Sequence, residues 1–143
     1  MNPGTQQNYA NHKKLTPLYH FVLALLTAVV LIASIVYLFV DAFSFVSFLL
    51  VGMALCTAIL MMLLRQFATK LQDRIIRQEE QFRHVQLTGK PLDARLSLRQ
   101  VIALRFADDA EYPALCRQAA EKGMSTDEIK RAIQVWRADH IRV

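Results

Sequence analysis

The sequence predicts an all-α membrane protein, in which a two-helix transmembrane hairpin leads into a cytoplasmic stalk helix and then a small helical bundle. Two neighbouring apolar runs in the first half of the chain are long enough to span a membrane, basic residues flank the pair, and helix start and stop signals recur in the second half. We therefore expect four segments: a polar cytoplasmic lead-in, the hairpin, the stalk and a cytoplasmic helical domain, at residues 1–17, 18–64, 65–89 and 90–143.

The two apolar runs cover residues 18–40 and 43–64, and Asp41 is the only formally charged residue from Leu18 to Leu64. Each run would reach roughly 33 Å as a helix, which exceeds a hydrocarbon core of about 30 Å. Only Asp41 and Ala42 separate the runs. Backbone exposed to lipid must keep its hydrogen bonds, so a tight antiparallel hairpin is predicted rather than one long helix with Asp41 at its middle.

The chain does not resemble a secretory signal followed by a mature domain, because the first run is too long and a second run follows directly. Basic residues flank the pair of runs, whereas the connection between them has none. The positive-inside rule then places both termini in the cytoplasm and Asp41 outside. The flanking basic residues are Lys13, Lys14, Arg65, Lys70, Arg74 and Arg77.

Polar and small residues inside the runs indicate packing positions. Thr27 and Ser34 share one helical face, and Gly52 with Cys56 forms a small-xxx-small pair that permits close helix approach. These residues either seal the hairpin or join protomers. A homo-oligomeric pore is the alternative, and its lining would be Thr27, Ser34, Ser44 and Ser47.

The stalk is predicted to continue the second span, since no Pro or Gly occurs after Leu64 until Gly89, and Gly89 with Pro91 ends it. Apolar residues recur along it at alternating spacings of four and three, which defines a heptad seam. The seam packs either against another copy or against later helices of its own chain. It consists of Leu64, Ala68, Leu71, Ile75, Gln78, Phe82 and Val85.

A basic face adjoins this seam, formed by Lys70, Arg74 and Arg77. Near the inner leaflet these side chains would hold anionic lipid head groups. The alternative is a solvated face with ion pairs at i, i+4, such as Glu79 with Arg83.

Capping boxes mark two helices of the last segment. Ser97 with Gln100 opens one, and Ser125 with Glu128 opens the final helix. The final helix is expected to carry one apolar stripe formed by Ile129, Ile133 and Trp136.

An acidic cluster, Asp108, Asp109 and Glu111, lies between these two helices. A divalent cation site is one interpretation. A helix N-terminus favours negative charge, so we expect instead that Asp108 or Asp109 caps a middle helix that ends at Gly123.

Motifs for catalysis or for metal binding are absent from the sequence. The four histidines are scattered, no HExxH or CxxC spacing occurs, and four glycines form no phosphate loop. Cys56 and Cys116 fall in different environments, and both are interpreted as small buried apolar residues. We therefore expect a protein that is not an enzyme and holds no metal or cofactor.

Arg95, Arg99 and Arg105 concentrate positive charge around one predicted helix. Such a patch would contact an acidic partner, inner-leaflet lipids or nucleic acid. The last two predicted helices carry nearly as many acidic as basic residues, which argues against nucleic acid.

Three segments together resemble an uncharacterised bacterial family of small two-span membrane proteins, catalogued as a domain of unknown function. They are QNYANHKKLTPLYHFVL from Gln7, QDRIIRQEEQFRHVQLTGKPLDARLSLRQVIALRFADD from Gln72, and IKRAIQVWRADHIRV from Ile129. The resemblance implies a bacterial inner-membrane location and the same two-span layout, and members are sometimes labelled as transporter permeases. It supplies no catalytic or binding residues.

The sequence thus favours a non-enzymatic membrane scaffold or accessory protein that self-associates or joins a larger membrane complex. Two alternatives stay open. One is a small homo-oligomeric channel or transporter component, and the other is a membrane-tethered nucleic-acid binder.

Overall fold

The computed structural model describes Tyr9 and residues 16–139, and each regular element in that part of the chain is helical. This confirms the all-helical prediction. A π-helical turn, Leu18–Leu23, runs directly into the first α-helix. The α-helices are α1 (Ala24–Val40), α2 (Phe45–Thr88), α3 (Leu98–Leu104), α4 (Tyr112–Lys122) and α5 (Thr126–Ala132).

The chain divides into two compact units. Among the described residues, one unit consists of residues 16–69, which hold α1 and the first part of α2, and the other combines Tyr9 with residues 70–139. We refer to them as the apolar unit and the helical domain.

The apolar unit contains two helical stretches that are long and apolar enough to cross a membrane, Leu18–Val40 and part of α2. Only 6% of the first apolar window and 11% of the second is buried. The core helix of a soluble protein would bury most of its apolar residues, whereas these helices expose theirs.

The connection between α1 and α2 runs from Asp41 to Ser44, so α2 begins at Phe45 and not at Phe43. Phe43 has a left-handed backbone, with φ of 61°, and its N–H donates to the Leu38 carbonyl at 3.0 Å. Ser44 decides where α2 starts, because its hydroxyl accepts the Ser47 N–H at 3.2 Å as an N-cap does. The same hydroxyl donates to the Asp41 carboxylate.

The start of the first helical stretch contacts α2 within the apolar unit. The Tyr19 hydroxyl donates to the Met61 carbonyl at 2.8 Å, and the Arg65 guanidinium lies over the Tyr19 ring, 5.5 Å from its centre. Tyr19 therefore binds to the second apolar helix through both its polar and its aromatic groups.

Glycines end two helices as predicted. Gly89 follows α2 with φ of 70°, and Gly123 follows α4 with φ of 61°. Both occupy the left-handed region, which costs glycine less than any residue with a Cβ atom.

Both capping boxes are confirmed. Ser97 accepts the Gln100 N–H at 3.3 Å, and the Gln100 side chain accepts the Ser97 N–H at 2.8 Å. Ser125 and Glu128 make the same exchange at the start of α5, at 3.3 and 2.7 Å. These starts position α3 and α5 against a buried apolar core that includes Leu96, Val101, Leu104, Phe106, Tyr112, Leu115, Cys116, Ala119, Ile129 and Ile133.

The final helix is shorter than predicted, since α5 ends at Ala132 and Ile133 is extended, with ψ of 121°. Trp136 forms an isolated antiparallel bridge with Ala107. The Arg137 N–H donates to the Phe106 carbonyl at 2.7 Å, so backbone groups that a longer helix would use are bonded to a distant segment. Ile133 and Trp136 still pack on the core, but not as a helical stripe.

Candidate functional site

No group of three or more His, Cys, Asp or Glu side chains that could hold a metal ion occurs among the described residues. Two kinds of polar feature are notable. One is a buried cluster of polar groups around Arg83 in the helical domain, and the other is a set of exposed surfaces. The acidic segment, Asp108, Asp109 and Glu111, does not have its predicted capping role.

Neither Asp108 nor Asp109 caps α4, whose N-cap is Glu111, and Glu111 makes no side-chain capping bond. Its carboxylate instead accepts the backbone N–H groups of Gln134 and Val135, both at 3.1 Å. Asp109 pairs with Arg83 of α2. Glu111 and Asp109 are thus used by segments distant in sequence, which no local capping rule could show, whereas the Asp108 carboxylate accepts the nearby Ala110 N–H at 3.1 Å.

Arg83 lies at the centre of a buried polar cluster between α2 and α4. Its guanidinium pairs with Glu80 at 3.1 Å and with Asp109 at 2.6 Å, and it donates to the Ala107 carbonyl at 2.7 Å. It also lies over the Tyr112 ring, 4.2 Å from the ring centre. Arg83 therefore pairs with Glu80 and Asp109, and not with Glu79, the partner expected at the i, i+4 spacing.

Tyr112 also belongs to this cluster, because its hydroxyl donates to the Glu80 backbone carbonyl at 3.1 Å. Together these contacts connect α2 to the segment from Ala107 to Tyr112. Sequence reasoning missed the cluster, since Arg83 and Asp109 are 26 residues apart and no spacing rule relates them.

Burial lowers the pKa of Arg83, but the hydrogen bond that Arg83 donates to Asp109 and the charge of Glu80 outweigh it, so the net pKa is raised. Burial raises the pKa of the Tyr112 hydroxyl. It also raises the pKa of the Cys116 thiol to about 12. Cys116 therefore stays a protonated thiol at neutral pH, which suits a packing role rather than nucleophilic chemistry.

All seven residues of the predicted heptad seam are exposed. Its apolar members on the helical domain's part of α2 include Leu71, which is 60% exposed, and Phe82, which is 64% exposed. The opposite side of the same helix is buried, at Ile76, Glu80 and Arg83. The exposed seam residues along α2 are Leu64, Ala68, Leu71, Ile75, Gln78, Phe82 and Val85.

The predicted basic face is also exposed, at Lys70, Arg74 and Arg77. None of the three forms an ion pair within the part of the chain that the structure describes. Their charges are therefore available to ligands outside the chain.

The three arginines around α3 do not form one surface patch. Arg99 is exposed, and the exposed Arg95 pairs with the half-buried Asp93 at 2.7 Å. Arg105 is buried, at 6% exposure, where it pairs with Asp139 at 2.9 Å and lies over the Phe106 ring. The interior position of Arg105 takes it out of any surface contact.

Three hydroxyl side chains of the apolar unit, those of Thr27, Ser34 and Ser47, donate to carbonyls nearby in sequence, and Thr27 also lies 4.0 Å from the Met61 sulfur of α2. Ser34 is buried and donates to the Leu31 carbonyl at 2.8 Å, and Thr27 donates to the Leu23 carbonyl at 2.8 Å. Ser47 is buried too, and its hydroxyl donates to the Ser44 carbonyl at 2.7 Å. Such bonds satisfy hydroxyl donors without a partner helix.

Gly52 and Cys56 lie on the exposed side of α2. A Cβ atom added to Gly52 would meet nothing within 4 Å, so no helix in the described part of the chain approaches it closely. The expectation that Cys56 is buried is wrong, whereas Cys116 is buried as expected.

Tyr9, which precedes the first apolar helix in the sequence, contacts α5. Its hydroxyl donates to the Asp127 carboxylate at 2.9 Å, and Arg131 lies over its ring, 5.5 Å from the centre. Both contacts fall within the helical domain. Residues on either side of the two apolar helices therefore meet in one compact unit.

Comparison with known proteins gives one match. The sequence model of the Family of unknown function (DUF6526) matches residues 1–143. No curated protein and no solved structure matches the chain. Since the match covers the full length, the chain belongs to DUF6526, a family of unknown function.

Proposed function

We propose that this protein is a non-enzymatic scaffold of the bacterial inner membrane, anchored by a two-helix hairpin that presents the helical domain on the cytoplasmic side. It self-associates or joins a larger membrane complex. Its lipid contacts are with hydrocarbon around α1 and α2 and with anionic head groups at the inner leaflet.

One observation carries this proposal: α1 and the apolar part of α2 bury very little of their apolar surface. Exposed apolar area on this scale is unfavourable in water by about 25 cal/mol per Å². Lipid hydrocarbon removes that cost along a span of some 20 residues.

The contacts of Tyr9 support a hairpin with both ends on one side. Tyr9 precedes the first apolar helix, and Asp127 follows the second. Two side chains joined by a hydrogen bond of 2.9 Å occupy the same compartment, so the chain between them crosses the bilayer an even number of times. The basic flanks then favour the cytoplasmic side.

Lys70 is the best placed of the exposed basic residues for lipid contact. It lies about 9 Å along α2 beyond Leu64, within a Debye length of the membrane surface. Arg77 lies about 20 Å beyond Leu64, where the attraction of anionic lipids is largely screened.

A scaffold is favoured over a channel by the hydrogen bonding of the apolar unit. Thr27, Ser34 and Ser47 each donate to a carbonyl of a nearby residue in sequence, which reduces their capacity to bind a solute. Asp41 is bonded to Ser44 in the connection between the helices. The spans therefore offer a poor polar route.

Topology can be tested by cysteine labelling of the full chain in cells. In a Cys56→Ala background, Ala42→Cys marks the connection and Arg99→Cys marks the helical domain, both at exposed positions. A membrane-impermeant maleimide should label Ala42→Cys in intact cells and Arg99→Cys only after permeabilisation. The background protein, which keeps the buried Cys116, is the control.

Labelling of Arg99→Cys in intact cells would overturn the topology, and extraction of the chain without detergent would overturn membrane insertion. Native mass measurement and copurification from the source membrane test the scaffold role. A strictly monomeric species without any partner contradicts it, and ion or solute flux through reconstituted liposomes supports the channel instead.

A further inference from the structure

The heptad seam is an apolar surface that its own chain leaves uncovered. Leu71, Ile75, Phe82 and Val85 are each more than two fifths exposed, although they belong to the helical domain. The other side of α2 packs on that domain through residues such as Ile76 and Arg83. A second helix can therefore approach the seam without displacing any contact of this chain.

The spacing of the seam is that of a coiled coil. It puts Ile75 and Phe82 at a positions and Leu71, Gln78 and Val85 at d positions. Ile75 at a with Leu71 at d is the combination that favours two parallel strands, whereas Phe82 and Val85 do not add to that preference. Three heptads are short for an isolated coiled coil, but anchoring in one membrane raises the effective concentration of the two helices.

Two charged residues beside the seam show how the strands would pair. Arg74 occupies a g position and Glu79 the e position five residues later. In a parallel in-register pair these positions face each other across the interface, twice by symmetry. Neither side chain has an ion-pair partner among the residues that the structure describes.

An antiparallel pair would not use these charges. It would bring Arg74 towards the partner's g positions, which are Phe67, Arg74, Gln81 and Thr88 and include no acid. Charge complementarity thus selects the parallel arrangement, which two copies with the same membrane topology also adopt.

Gln78 is the one polar member of the heptad seam between Leu71 and Val85. In the parallel pair it meets its counterpart, and one amide can donate to the other. A polar pair in the core of a coiled coil lowers stability but fixes register and strand number, because a shifted register leaves the amide unpaired among apolar side chains.

From these observations we infer that a second copy of this chain covers the heptad seam, as a parallel in-register coiled coil with Arg74 of each chain paired to Glu79 of the other. The inference rests on the proposed function for the shared orientation of the two copies. It adds the partner, the strand direction and the register.

Cross-linking of the full chain in membranes tests the register. In the Cys56→Ala background, Gln78→Cys should form a disulfide-linked dimer on mild oxidation, since paired d positions lie close enough for this bond. Arg77→Cys, at the neighbouring c position, is the matched control and should stay monomeric on denaturing gels. Native mass in nanodiscs should give two copies.

Charge reversal tests the pairing. Arg74→Glu alone should weaken dimerisation by about tenfold, because two attractive contacts become repulsive. Adding Glu79→Arg to the same chain should restore the wild-type association. A double variant that stays as weak as the single one would show that the two residues do not meet.

The inference is overturned if Gln78→Cys does not cross-link, if Arg77→Cys cross-links equally well, or if native mass gives another copy number or a different protein on the seam. Maleimide labelling of the same membranes separates the two proposals. Wrong topology removes the proposed function, whereas correct topology without cross-linking removes only the coiled coil.

Discussion

Replacing Arg83 by alanine should destabilise the helical domain more than any change at an exposed basic residue of α2. The Arg83 side chain is only 8% exposed, and Glu80, its partner in the same helix, is 9% exposed. Removal of the guanidinium leaves the Glu80 carboxylate buried without its ion-pair partner. Breaking a buried pair in this way costs about 3–5 kcal/mol.

The other contacts of Arg83 contribute unequally to the stability of the helical domain. The buried Ala107 carbonyl loses a hydrogen bond of 2.7 Å, which costs about 1–3 kcal/mol within that total. Asp109 contributes little, because its side chain is 61% exposed and water replaces the arginine. Asp109→Ala should therefore cost about 1 kcal/mol or less, which separates the buried part of the cluster from the exposed part.

The fluorescence of Trp136 reports directly on unfolding of the helical domain. It is the single tryptophan, and its ring lies 5.1 Å from Phe106 in the core beside Ala107. Urea unfolding of the full chain in nanodiscs, followed by Trp136 fluorescence, gives the free energy of unfolding of the domain. Arg77→Ala is the matched control. A loss below about 1 kcal/mol for Arg83→Ala, equal to the control, would refute the reasoning.

Two further predictions use the same preparation. Ser125→Ala should lower the unfolding free energy by about 1 kcal/mol, because the Glu128 N–H at the start of α5 loses its acceptor, and an unchanged urea midpoint would contradict this. In the Cys56→Ala variant, Cys116 should react with maleimide only at urea concentrations that unfold the domain, since it is buried and its pKa is raised to about 12. Rapid reaction in the folded protein would contradict its interior position.

Short-range features were predictable from the sequence because their causes are local. The first apolar stretch has the predicted bounds, Leu18–Val40, since length and composition alone define it. Ser97 and Ser125 start helices because each meets a side chain three residues later, and Gly89 ends α2 through its own backbone.

Predictions failed where a local rule competed with a distant partner. Asp108 or Asp109 was expected to cap α4, but neither does, and Asp109 instead pairs with Arg83, because a buried guanidinium needs a counter-charge. The final helix stops at Ala132 because the backbone after it pairs with the segment around Ala107. Periodicity continued to Trp136 and could not show that competition.

By itself, the sequence determined the helical class, the two apolar helices, several helix boundaries and the pattern of the heptad seam, all of which follow from patterns within a few turns. Only the tertiary structure decided that α2 turns Ile76, Glu80 and Arg83 inwards and leaves the seam exposed. The physical reason is that either face of an amphipathic helix can be buried, and the choice depends on which face finds complementary partners, here Asp109, Ala107 and Tyr112.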